Sequence, residues 1–171
     1  MDDLQEYKLR KLEDWKRKAI AEETFPETAF CFDYSSLLAD GGHLDDPEIL
    51  DDAHRDTNRG TRIDGWSWNE NEGIITVIVC EFEENDDVLT ISKSEIETIG
   101  NRATKFLEIA EKGSLDHLDP ASSGYQTAQS LRHCMGEDNL VRFRIAVLTS
   151  KSMSARTQRG LSKKDQKFKL K

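Results

Sequence analysis

The sequence predicts an α/β fold, a mixed central sheet of about four strands flanked by helices, and three observations carry that prediction. Two β-patterned runs, residues 61–68 and 74–83, are joined by the polar segment 69–73, the pattern of an antiparallel hairpin. Two helix-periodic segments follow, residues 91–112 and one that opens at Asp119 and Pro120. A further alternating run, residues 140–149, then returns as a strand. Strand, two helices and strand make a crossover, which sets the last strand parallel to the 74–83 run in the same sheet.

In chain order, residues 2–21 place Leu4, Tyr7, Leu12, Trp15 and Ala19 near one side of a helix and charged residues elsewhere, the pattern of an amphipathic surface helix. The stripe leaves open whether it packs on its own domain or on a second copy of the chain. Pro26 suits the first position of a second helix, which Gly41 and Gly42 close. Its expected buried stripe is Phe30, Tyr34, Leu37 and Leu38, and Asp33 falls on that stripe. Such an acid either bonds to a neighbouring cation or backbone group at the stripe's edge or points toward the acids of the sheet; Glu27, one turn earlier, is a further candidate for the second role.

Residues 40–58 are rich in Asp, with His43 and His54 among them, and lack the spacing of a calcium loop or a helical zinc pair. They read as a solvated connection with one helical turn over residues 47–53. In the first hairpin strand Arg62, Asp64, Trp66 and Trp68 alternate with Ile63. In the second, Ile75, Val77, Val79, Glu81 and Glu83 share one face and Ile74, Ile78, Cys80 and Phe82 the other; apolar residues on both faces mark a central strand covered on both sides. Ser92 and Glu95 form a capping box for the 91–112 helix and Gly113 ends it. Residues 154–161 begin one more helix, and residues 162–171 are a basic polar segment.

At 171 residues the chain fits one core, organised as an amphipathic helix (1–25), an α/β domain (26–160) and a basic tail or linker (161–171). The formal charge of −9 conceals an asymmetry: residues 151–171 carry +7 and residues 1–150 carry −16. A body so acidic repels phosphate backbones unless metal ions or the basic tail offset it. The odd count of three cysteines without CxxC spacing points to reduced core residues in a cytoplasmic protein. No apolar run approaches the roughly 20 residues that span a bilayer, so no membrane partner is expected.

The carboxylates of the hairpin are the unusual feature. Asp64 on one strand and Glu81 at the end of its neighbour can converge at one edge of the sheet, where two hard oxygen ligands hold Mg²⁺ or Mn²⁺ beside a scissile phosphate. Nucleophile motifs are missing: there is no G-x-S-x-G and no G-x-x-x-x-G-K-[ST]. The bland alternative pairs Asp64 with Arg62, Arg142 or Arg144, and packs Trp66 and Trp68 across strands rather than against bases.

The order of an acid-bearing helix, a hairpin carrying I-D-G and then an acid at the strand end, a helix and a strand resembles the PD-(D/E)xK restriction-endonuclease-like core. More narrowly, RIDGWSWNENEGIITVIVCEF, TISKSE and VRFRIAVLTSKSMS resemble the amino-terminal domain of AIPR proteins, the abortive-infection phage-resistance family of bacteria, over roughly residues 27–154. The resemblance implies an antiphage-defence domain with a nuclease-like fold, joined to a C-terminal domain or acting with other defence proteins. It implies Asp64 and Glu81 as metal ligands with Asp33 or Glu27 as the third acid, and Mg²⁺- or Mn²⁺-dependent cleavage of nucleic acid if the site is active. The departure lies at Glu83, which stands where such a nuclease carries its lysine; a substitute cation would have to come from Lys93, Arg102 or Lys105. Without one, the same resemblance implies a lapsed module that serves interaction or sensing.

Overall fold

The computed structural model describes residues 3–162. Its order is α1 (Asp3–Ala21), α2 (Pro26–Asp40), β1 (Glu48–Asp56), β2 (Thr61–Asn69), β3 (Ile74–Glu81), α3 (Lys93–Lys112), α4 (Ser123–Met135), β4 (Arg142–Thr149) and α5 (Ala155–Ser162). The four strands form one sheet in the order β1-β2-β3-β4, antiparallel across the first three and parallel between β3 and β4. This is the mixed, helix-flanked α/β sheet that the sequence predicts.

β3 occupies the centre, and its two apolar faces explain the layers. Ile75, Val77 and Val79 pack with Ile99, Ala103 and Phe106 of α3 and with Ala128 and Leu131 of α4. Ile78 and Cys80 face the other way, against Leu12 and Trp15 of α1 and Phe30 of α2. The amphipathic first helix therefore finds its partner within its own domain. Trp15 is the knob of that contact, edge-on to Phe30 with ring centroids 5.0 Å apart and close to Phe82 at 5.9 Å.

The capping box at Ser92 and Glu95 forms as read, and Gly113 closes α3 in the left-handed region. Gly73 ends the hairpin turn at φ +65°, where a Cβ would lie 1.9 Å from the carbonyl oxygen of Asn139. No other residue fits that turn.

Several expectations give way. The 40–58 stretch holds a strand, β1, where a connection with a helical turn was expected. Only Leu50 of its nine residues is fully buried, so the segment lacks the alternation that signals a strand. Its outward carboxylates suit an edge, where charge discourages pairing with another sheet. Leu37 is exposed, and the buried stripe of α2 runs through Ala29, Phe30, Cys31 and Ser35. α4 starts at Ser123, because Asp119 and Pro120 sit in a turn before it and Ser122 caps it by accepting the Tyr125 N–H.

The cysteines depart furthest from the reading. Cys31 and Cys80 are joined in a disulfide with Cα atoms 5.9 Å apart, tying α2 to the end of β3. Both were expected to be reduced. The inward turn of α2 and the α2-facing side of β3 bring them together across one core layer, within the separation a disulfide allows. Cys134 stays free and buried. No helix among the described residues is long and apolar enough to cross a membrane. The basic segment beyond residue 162 lies outside the described residues.

Candidate functional site

The site is created by a local failure of the sheet. β2 and β3 pair regularly from Asn69↔Ile74 to Gly65↔Ile78; two more residues in that register would set Ile63 opposite Cys80. The ladder stops short of that pair. On its other side β2 also loses register with β1, between Ile49 and His54. As a consequence Ile63 packs in the same core layer as Trp66 and Trp68, although simple alternation puts it opposite them. Gly65 sits at the break, where a Cβ would come within 2.7 Å of the Glu48 carbonyl oxygen.

Where the ladder stops, two side chains replace it. The Cys80 N–H donates to Asp64 Oδ2 at 2.9 Å, and Arg62 Nη2 donates to the Cys80 carbonyl. Asp64 and Arg62 thus do for Cys80 what a strand backbone would do, and they are held together by Arg62 Nε on Asp64 Oδ2 at 3.1 Å. Both side chains are below one tenth exposed.

From this pair an alternating charge network spreads over five elements. Arg55 of β1 donates to Asp64 Oδ1 at 3.1 Å and to Glu27 Oε1 of α2 at 2.5 Å. Arg62 Nη1 reaches Glu81 Oε2 of β3 at 3.2 Å. Lys151, just past β4, lies 3.8 Å from Glu81 Oε1 and 3.2 Å from Glu95 Oε1 of α3. Burial alone would lower the Arg55 pKa, but its bonds to Glu27 and Asp64 outweigh that and raise it. Glu95 is held down at about 2, first by the Ser92 backbone N–H and then by the Ser92 hydroxyl and Lys151.

The predicted residues separate into two groups. Asp64 and Glu81 do meet, with the Arg62 guanidinium between them, and the acid that α2 contributes is Glu27 rather than Asp33. Asp33 lies instead at the α1–α2 contact, where it accepts Trp15 Nε1 at 3.1 Å and pairs with Lys11 at 3.2 Å and Lys18 at 3.4 Å. Burial there would raise its pKa, but the bonds from Trp15 and Lys11 prevail and hold it low. Glu83 stands apart: its N–H donates to Ser150 Oγ at 2.8 Å and its carboxylate accepts the Asn85 N–H. Lys93 pairs with Glu97 along α3 at 3.8 Å.

Arg55 and Lys151 were not singled out from sequence. Arg55 lay in the stretch without a visible strand pattern, whereas Lys151 directly follows a recognised strand and was the cation to look for. Arg142 is exposed, and Arg144 donates to the His43 carbonyl, so of the three arginines considered for Asp64 it is Arg62 that pairs.

A divalent metal does not fit this donor set as arranged. Asp64 Oδ1 is taken by Arg55, and Oδ2 by Arg62 and the Cys80 N–H. A hard cation needs free carboxylate lone pairs, and two guanidinium charges flank the place it would occupy. Among the described residues no group of three or more His, Cys, Asp or Glu is placed to hold a metal ion.

Comparison with curated proteins and with solved structures gave no match. Residues 30–169, most of the chain, match the model of the abortive infection phage resistance protein N-terminal domain, and the chain belongs to that family.

Proposed function

We propose that this domain serves phage defence as a nuclease-like module that has lost catalysis and works by interaction or sensing, within a larger protein or beside other defence proteins. The observation that carries the reading is the Arg62 guanidinium bonded to Asp64, Glu81 and the Cys80 carbonyl together. It supplies the positive charge that a metal would otherwise bring to these acids. Catalysis through Mg²⁺ needs carboxylate oxygens that are open to the ion, and both oxygens of Asp64 already accept from protein donors, two of them guanidinium groups.

One observation favours a second reading, Mg²⁺- or Mn²⁺-dependent cleavage of nucleic acid on a PD-(D/E)xK-type core. Acids from the first core helix and from both hairpin strands do converge, as Glu27, Asp64 and Glu81. That reading requires Arg55 and Arg62 to withdraw from Asp64.

Calorimetric titration with Mn²⁺, together with cleavage assays on DNA and RNA, separates the two. The lapsed-site reading expects no saturable Mn²⁺ uptake and no cleavage with either metal. Mn²⁺ binding or cleavage by the wild-type chain that disappears in Glu81→Gln would overturn it. Glu81 is partly exposed and lies outside the Cys80 contacts, so that variant leaves the strand end intact.

A further inference from the structure

One cavity of this acidic chain is lined by lysines and by no carboxylate side chain. It lies where β4 ends, between α1 and the chain leaving the sheet, and encloses about 130 Å³. Its lining contains Lys8, Lys11 and Lys151, the hydroxyls of Thr149 and Ser150, and the rings of Tyr7 and Trp15, with no carboxylate side chain. The carboxyl end of a parallel strand is the usual ligand position in open α/β sheets.

Lys8 decides what the cavity is for. It is 5 % exposed, and its ammonium donates to the carbonyl of Asp87. Among the described residues no carboxylate lies within 4.0 Å of that ammonium. An ammonium has three donors, so most of its hydrogen-bonding capacity is unspent in a place where an unpaired charge is costly. Burial lowers the Lys8 pKa, more than the charges of Glu83, Asp87 and Asp86 raise it and with Lys151 adding to the fall. The other two lysines are already engaged, Lys11 by Asp33 at 3.2 Å and Lys151 by Glu95 at 3.2 Å. They add positive potential but are not in search of a partner.

We infer that this cavity is a binding site for a phosphate-type oxyanion, held by Lys8 with Lys11 and Lys151 beside it. The volume is below the roughly 300 Å³ of a drug-sized pocket and holds about four waters' worth of liquid, which suits a phosphate group rather than a whole nucleotide. Tyr7, 39 % exposed at the wall, offers a ring face to an organic group attached to that phosphate. A free phosphate and a nucleoside monophosphate share the oxyanion chemistry and differ in use of that ring. The inference does not rest on the lapsed-catalysis reading: Lys8 and Tyr7 lie outside the Asp64 network, which meets the cavity only through Lys151.

The test is thermal unfolding of the full chain at constant ionic strength, titrated with inorganic phosphate and separately with AMP. Both ligands are expected to raise the Tm of wild type saturably and to leave Lys8→Met unshifted. Methionine fills the space of the lysine stem without a charge, so the variant should fold. Lys112→Met, on the exposed last turn of α3, should respond like wild type. At least tenfold tighter binding of AMP than of phosphate, reduced to parity in Tyr7→Ala, would assign the ligand to the nucleotide class; parity in wild type would assign it to the phosphate group alone. The absence of a saturable shift in wild type, or an equal shift in Lys8→Met, would overturn the site.

Discussion

Exchanging the Arg62–Asp64 pair for apolar side chains tests whether these two residues are an ion pair or a piece of the sheet. A buried ion pair replaced wholesale by side chains of similar volume is typically neutral or stabilising by about 1–4 kcal/mol, whereas removing one partner costs about 3–5 kcal/mol. Arg62→Met alone falls in the second class, since Asp64 stays buried. The double variant Arg62→Met/Asp64→Leu would be neutral or better if the pair were only a pair. Here it also strips the N–H and C=O of Cys80, a fully buried residue. Each orphaned backbone group costs about 1–3 kcal/mol. The double variant is therefore expected to be about 1–3 kcal/mol less stable than wild type, with a coupling energy of about 2 kcal/mol or more between the two sites. Urea unfolding of the four proteins reads this directly, as a midpoint fall of about 1 M in the double variant at unchanged m. A double variant as stable as wild type would refute the argument that these side chains replace the ladder.

Two further outcomes follow from the same packing. Reduction of Cys31–Cys80, or Cys31→Ser/Cys80→Ser, should lower stability by about 2–4 kcal/mol, as expected for a closed loop of about 50 residues; intact mass before and after reduction checks the bond, and unchanged Tm on reduction would contradict its role. Asp33→Asn should cost roughly 1–3 kcal/mol at pH 7, from the loss of its charged bonds to Lys11 and Trp15. Because the folded Asp33 pKa lies below its unfolded value, its stabilisation is full above about pH 4 and fades as the pH falls through the folded value. The gap between variant and wild type in urea unfolding should therefore close in acid, and a gap constant from pH 7 to pH 2 would count against the pairing.

The strongly periodic parts of the fold were legible. β3, α3 and β4 announce themselves by apolar faces matched to a period, by the Ser92 and Glu95 box and by Gly113. β1 was not, because an edge strand with one buried residue has little hydrophobic pattern to show. The acids Asp64 and Glu81 were identifiable as unusual from their place in an apolar hairpin. Their neighbours were not, because that depends on where the β2–β3 ladder ends and on a loss of register opposite it, neither of which leaves a mark in periodicity. Asp33 illustrates the limit from the other side. Its position on the α2 stripe was read correctly as inward, but the surface it meets is α1, and periodicity names a face without naming what covers it. The Cys31–Cys80 bond was hidden for a similar reason: its two residues belong to elements that had not been placed against each other.

Cys80 ends as the most informative residue of the chain. Its sulfur is fixed by α2, its N–H by the Asp64 carboxylate and its carbonyl by the Arg62 guanidinium. The amide hydrogen at this position is therefore guarded by a side chain and not by a strand, so its exchange with solvent is timed by the opening of the ion pair. Anything that draws Asp64 away, a metal ion included, leaves that N–H without its acceptor. The state of the whole acid cluster can be followed at one backbone N–H, without an assay for any activity.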